Sequence, residues 1–296
     1  EYPVSRVLAE IVSARSVSAD GQPAADGEAA AADEADGIST DQEELNRVSA
    51  EVLWDLEGRY EFLNQDSEIY GLINALLDRI LDSDGGRLRR TMHEKITPRV
   101  YVIKNTLAPI GLSLPDGAIL VSLAMLRLIH SEDEMAWLLG HELFHIADGH
   151  AREILQRIKN NNFVLEVVAG ASRLHEYEAD LMPMQQWLDR NGFYPMAGIT
   201  FLGRLDEACM VGVRRRDRQD VSWGSVHGTV EDRKLNMLTL KYVINFDSLE
   251  QAQTSVPEDW RQAVELAFGL LRQEMFFEKR MARMDQCDRR ELDLVL

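Results

Sequence analysis

The spacing of two histidines constrains this chain most. His141 and His145 stand four residues apart in the run His141–Glu142–Leu143–Phe144–His145. On an α-helix, residues four apart lie one above the other on the same face, so both imidazoles can reach a single point in space. A fold for this chain must therefore run a helix through 141–145 and bring other groups to that face. The flanks predict such a helix. Ser131 followed by Glu134 has the form of a capping box, Met135, Leu138, Leu139 and Ile146 make an apolar stripe, and Gly149 is a natural stop.

The same five residues have the HExxH pattern, in which two imidazoles bind zinc and the glutamate serves as general base. On that reading His141 and His145 are ligands and Glu142 is the base. The plain alternative is two surface histidines on a core helix. A catalytic zinc keeps three protein ligands and one open position, so a third ligand must come from elsewhere. A histidine at the metzincin spacing is excluded, because position 151 is Ala and His150 falls one residue short. His150 then reads as a helix-end residue. The run Arg173–Leu174–His175–Glu176–Tyr177–Glu178–Ala179–Asp180 offers a carboxylate instead. Glu176 and Asp180 share one helical face. Glu176 can bind the metal, and Asp180 can accept the free N–H of a ligand histidine and raise its basicity. His175 and Glu178 point elsewhere around the helix, and an ordinary charged helix face is the alternative for the whole run.

Composition narrows the function classes. The net charge of −18 over 296 residues excludes general nucleic-acid binding, which needs a basic field. The two cysteines, Cys209 and Cys287, permit one disulfide that sequence cannot deduce, and neither lies near the histidine pair in sequence. No run approaches the ~20 apolar residues that span a bilayer, so membrane association is compatible with the chain only without a transmembrane segment here. The sequence opens at Glu1 with no cleavable signal in view, which reads as a processed or trimmed chain from which a signal peptide or anchor could have been removed.

Along the chain, residues 1–17 can form a short amphipathic helix, and 18–40 read as a flexible acidic linker. Helical periodicity starts at Asp41, with Leu45, Val48, Val52, Leu53 and Leu56, and returns near 66–82, closed by Asp84–Gly85–Gly86. The period then switches to two. Pro98–Lys104, Ile110–Leu114 and Ala118–Ser122 read as strands, with Pro115–Asp116–Gly117 as a turn. Helix resumes at Leu123 and is predicted to run on through the histidine pair. Further helices are predicted over 172–190, from Met196 to Met210, from Thr229, and over 258–285; Arg214–Arg218 is a solvated basic connection. The organisation expected is a flexible segment 1–40, a principal domain 41–250 and a helical extension 251–296. The fold class is α+β, mostly helical, with a small mixed β-sheet beside the 141–145 helix.

These residues resemble the gluzincin zinc metallopeptidases of the HtpX/BepA-like and CAAX-prenyl-protease family. That family pairs HExxH with a later ExxxD, here Glu176–Tyr177–Glu178–Ala179–Asp180. Ser131–Ala136, Leu114–Val121 (with Asp116 where Gly is usual) and Gly192–Phe193–Tyr194–Pro195 resemble its flanking runs. Ser225–Val226–His227–Gly228–Thr229, with Glu231 and Arg233, resembles its "sTHPsxxeR" run, Gly228 replacing Pro. The resemblance covers about 45–245 and implies a zincin-like fold with one Zn2+ per chain held by His141, His145 and Glu176. It implies Glu142 as base, Asp180 behind the ligands, and His227 either latching the open metal position or stabilising an oxyanion. Arg233 reads as structural or substrate-orienting. The implied function is a zinc endopeptidase of the soluble, periplasmic-type branch, cutting unfolded or extended polypeptides in quality control of the cell envelope. Ala118–Ser122, read as an edge strand, could pair with such a substrate. The rival reading is a latent or non-catalytic zinc protein acting as chaperone or adaptor, with His227 as a fourth ligand.

Overall fold

A three-stranded sheet positions everything else: β1 (Arg99–Ile103), β2 (Gly111–Ser113) and β3 (Ala118–Ser122), in the order β1-β3-β2. The computed structural model describes residues 34–92, 96–150, 152–153, 165–194, 196–213, 229–243 and 254–273. β3 pairs parallel with β1 and antiparallel with β2. The 115–117 turn joins β2 to β3 as expected: Gly117 has φ +95° and its N–H donates to Leu114 O at 3.0 Å. The Arg99 guanidinium pairs with Asp116 across this turn.

The expectation of Ala118–Ser122 as an edge strand is corrected here. β3 is the central strand and all five of its residues are buried. Its run Ala118–Ile119–Leu120–Val121 is apolar on both faces because both faces are covered. Ala118 and Leu120 pack with Val48, Val52 and Leu56 of α1 (Glu34–Arg59), while Ile119 and Val121 join the larger core on the opposite side. The outer edge of β1 is covered by the chain at 61–63, where Leu63 N–H donates to Val102 O and Lys104 N–H to Glu61 O. β2 is the edge strand next to the histidine helix.

Helix α1 begins at Glu34, inside the stretch read as linker. α2 (Glu68–Leu81) is capped by Ser67, but α3 (Ser83–Thr91) then runs across the Gly85–Gly86 pair where a turn was expected. The helix predicted to run on from Leu123 is instead two. Ser122 caps the short α4 (Leu123–Leu126), and Ser131 caps α5 (Glu132–Ala147) by accepting the Glu134 N–H. Two buried carboxylates fix the start of α5 to later parts of the chain. Asp133 accepts the N–H groups of Tyr194 (2.8 Å) and Thr254 (3.0 Å). Glu134 accepts His130 N–H (2.7 Å) and the Thr200 hydroxyl (2.8 Å), and pairs with Arg204.

Beside α5 lies α6 (Leu165–Pro183), which continues through a wide turn at Met184–Leu188 and ends at Asp189–Asn191 with Gly192 at φ +73°. Pro183 has no N–H for the helical ladder and stands where the helix widens. Gly140 lets the two helices approach: a Cβ there would sit 3.1 Å from that of Pro183. Helices α7 (Ala197–Val213) and α8 (Val230–Val243), and another, α9, over 258–273, complete the described residues. No helix among the described residues is long and apolar enough to cross a membrane.

Candidate metal centre and active site

Helices α5 and α6 bring three ligand-type atoms together. His141 Nε2 and His145 Nε2 are 3.2 Å apart, and the Glu176 carboxylate lies 3.4 Å from the first and 3.6 Å from the second. Donors about 2.0–2.1 Å from a tetrahedral zinc are separated by roughly 3.3–3.4 Å. The observed separations, measured to Glu176 Oε2 from His141 and to Oε1 from His145, lie close to that edge, and two imidazoles with one carboxylate suit the ion chemically. His141 and Glu176 are buried and His145 nearly so.

The titration tendencies of the two rings diverge. Burial lowers His141, but the Asp180 and Glu176 carboxylates outweigh it and hold the ring at about 10. His145 is pushed well below its usual value, by burial first and then by the charge on His141. Of the two rings His141 therefore holds the extra proton, which a bound cation would displace.

Behind the triangle, His141 Nδ1 lies 3.0 Å from Asp180 Oδ1, an ion-pair distance without aligned hydrogen-bond geometry. Asp180 is fully buried and is gripped by Arg233 from α8, through Nε at 2.7 Å and Nη2 at 2.6 Å. Arg233 Nη1 is 3.2 Å from Glu176. Burial opposes the guanidinium's charge, yet Asp180 and Glu176 overcome this and raise its pKa.

His145 has its own support. Its Nδ1 is 2.8 Å from His150 Nδ1, and His150 Nε2 is 3.0 Å from Asp148. His150 is therefore more than a helix-end residue. Gly149, at φ +71°, turns the chain so that the next side chain folds back onto the helix it has just left. His175 stacks on His150 with centroids 4.0 Å apart and rings nearly parallel, while its Nε2 meets Glu153 at 2.9 Å. It stands outside the ligand triangle, as does Glu178.

Glu142 is buried on the β2 side of the helix, where a Cβ built on Gly111 would stand 3.2 Å from its Oε1. A cavity of about 310 Å³ opens between His145, Ser113 at the end of β2, and Gln42 and Leu45 of α1; Arg152 also lines it. His227, the 214–218 run, the 1–17 helix and Cys287 lie outside the described residues, as does the Cys209 side chain.

A helix carrying HExxH, a neighbour carrying ExxxD and a small mixed sheet define an α+β, zincin-like metallopeptidase domain. Residues 87–234, half of the chain, match the model of peptidase family M48, and the chain belongs to that family of zinc metallopeptidases. No curated protein matches the chain in sequence comparison.

Proposed function

We propose that this chain is a zinc-dependent endopeptidase for extended polypeptides, with His141, His145 and Glu176 holding the metal and Glu142 as general base. The observation that carries the reading is the convergence, from two separate helices, of two imidazole nitrogens 3.2 Å apart and one carboxylate whose Oε2 and Oε1 lie 3.4 and 3.6 Å from them. Zinc, when bound, supplies a Lewis acid and lowers the pKa of water towards ~7.

The chain's own residues do the rest. The Asp180 charge, 3.0 Å from Nδ1, favours the His141 tautomer with its hydrogen there and so leaves the Nε2 lone pair facing the site. Arg233 neutralises the charge that Asp180 and Glu176 bring into the interior. Glu142 takes a proton from the attacking water and passes it to the departing amine nitrogen. In an antiparallel pair alternate residues turn their N–H and C=O outward. Ser122 N–H bonds to Ile110 O and Leu114 N–H to Ala118 O, so Gly111 and Ser113 are the outward-facing residues of β2. A substrate strand pairing there lies alongside Glu142, and backbone pairing tolerates many sequences. That tolerance suits removal of unfolded proteins. The cell-envelope setting, the exported location and the latch or oxyanion role of His227 join the proposal from the family resemblance.

Zinc content and casein cleavage, measured for wild type beside Glu142→Gln, test this reading. It requires zinc in both proteins and a loss of cleavage of about 10²–10⁴-fold in the variant. Cleavage at the wild-type rate by Glu142→Gln removes the assigned base.

A further inference from the structure

A second cluster of ligand-type side chains lies one imidazole away from the first. Asp148, His150 and Glu178 each place one donor atom within 4.8 Å of the others. His150 Nε2 is 3.0 Å from Asp148 Oδ2 and 3.5 Å from Glu178 Oε2, separations that bracket the roughly 3.3 Å edge of a tetrahedral site. One N–H directed at Asp148 leaves the Glu178 carboxylate facing the same nitrogen without a hydrogen. The His150 ring is buried and held in place, face-on to His175 and edge-on to His145 and Phe144. His175, itself buried against this cluster, has an Nδ1 with no hydrogen-bond partner among the described residues. The Asp148 and Glu178 side chains are 56% and 42% exposed, so a cation arriving from solvent meets them directly.

We propose that Asp148, His150 and Glu178 form a second divalent-cation site, for zinc or a similar first-row ion, which competes with the first site through the hydrogen shared by His145 and His150. The two Nδ1 atoms are 2.8 Å apart, a separation at which two neutral rings share one hydrogen. With that hydrogen on His145, its Nε2 offers a lone pair to the first site. His150 then carries its own hydrogen on Nε2, aimed at Asp148, and the second site is blocked. With the shared hydrogen on His150, the reverse holds: His150 Nε2 is free for a cation and His145 Nε2 is protonated. Two neutral imidazoles serve one site or the other at full strength, but not both. Excess metal therefore weakens the first site by drawing the hydrogen towards His150. The competition rests on His145 being a ligand of the first site, whereas the existence of the second site does not.

The test is titration of the metal-free full chain with Zn2+, counting bound ions by dialysis and metal analysis and reading affinities by calorimetry. Wild type is expected to bind two equivalents, the second weaker by about fivefold or more. Glu178→Gln, which changes one half-exposed side chain and leaves Asp148 against His150, is expected to bind one, with the first affinity within about twofold of wild type. One equivalent in wild type, or two in Glu178→Gln, overturns the site. Peptidase activity reads the competition separately: zinc at the second equivalent should inhibit wild type and spare Glu178→Gln. Wild-type activity unchanged with two ions bound overturns the competition. A chain without peptidase activity still gives the two-against-one count.

Discussion

Arg233 grips Asp180 with two donors, Nε at 2.7 Å and Nη2 at 2.6 Å, at a site where both side chains are buried. Its remaining nitrogen reaches Glu176 at 3.2 Å. One guanidinium thus offsets the carboxylate that supports His141 and the carboxylate that completes the ligand triangle. Removing one partner of a buried pair leaves the other as an uncompensated charge. Arg233→Met should therefore destabilise the metal-free protein by about 3–5 kcal/mol in denaturant melts. A loss below about 1 kcal/mol would show that the cluster does not depend on this cation.

In the proposed centre Asp180 would act on the metal through His141. Asp180→Asn keeps the shape but removes the charge that favours the hydrogen on Nδ1. Zinc affinity, measured by competition with a chelator, is expected to fall by about 10–100-fold. An affinity equal to that of wild type would place Asp180 in structure alone.

Gly111 leaves room for Glu142, the proposed base. A Cβ there meets Glu142 Oε1 at 3.2 Å and Met125 Cε at 3.3 Å, so Gly111→Ala pushes on the carboxylate from the β2 side. The expected outcome is kcat lowered by about tenfold with zinc content unchanged, a small displacement sufficing to degrade proton transfer. Loss of zinc in step with activity would mean that the ligands moved instead.

Gly198 is a packing requirement behind the same helix. A Cβ at Gly198 would fall 2.3 Å from the Trp137 indole, which is fully buried and packs between His141 and Phe201. Gly198→Ala should cost about 1–3 kcal/mol and lower the melting temperature. An unchanged melt would show that the indole has room to withdraw.

Much of this arrangement is legible in the sequence because its signals are local. Ser131 and Gly149 mark helix ends by their chemistry, and the period-two runs lie within a residue of the three strands. The order of the strands is less accessible. Ala118–Ile119–Leu120–Val121 is apolar at every position, the mark of a strand covered on both faces, and that pattern argues for the centre of the sheet. His150 escaped because helical spacing loses meaning beyond a helix end; the turn at Gly149, and not a face shared with His145, brings it back. Arg233 lies on a distant helix, and only its place after the 225–229 run links it to the centre. Gly85–Gly86 reads as a terminator, yet α3 runs across it.

Closure of His141, His145 and Glu176 on one cation is read by X-ray absorption at the zinc edge, on protein loaded with one equivalent. The expected spectrum is that of a four-coordinate shell of nitrogen and oxygen at about 2.0–2.1 Å with two imidazoles, altered in Glu176→Gln. A sulfur scatterer near ~2.3 Å, or a shell that Glu176→Gln leaves unchanged, would contradict it.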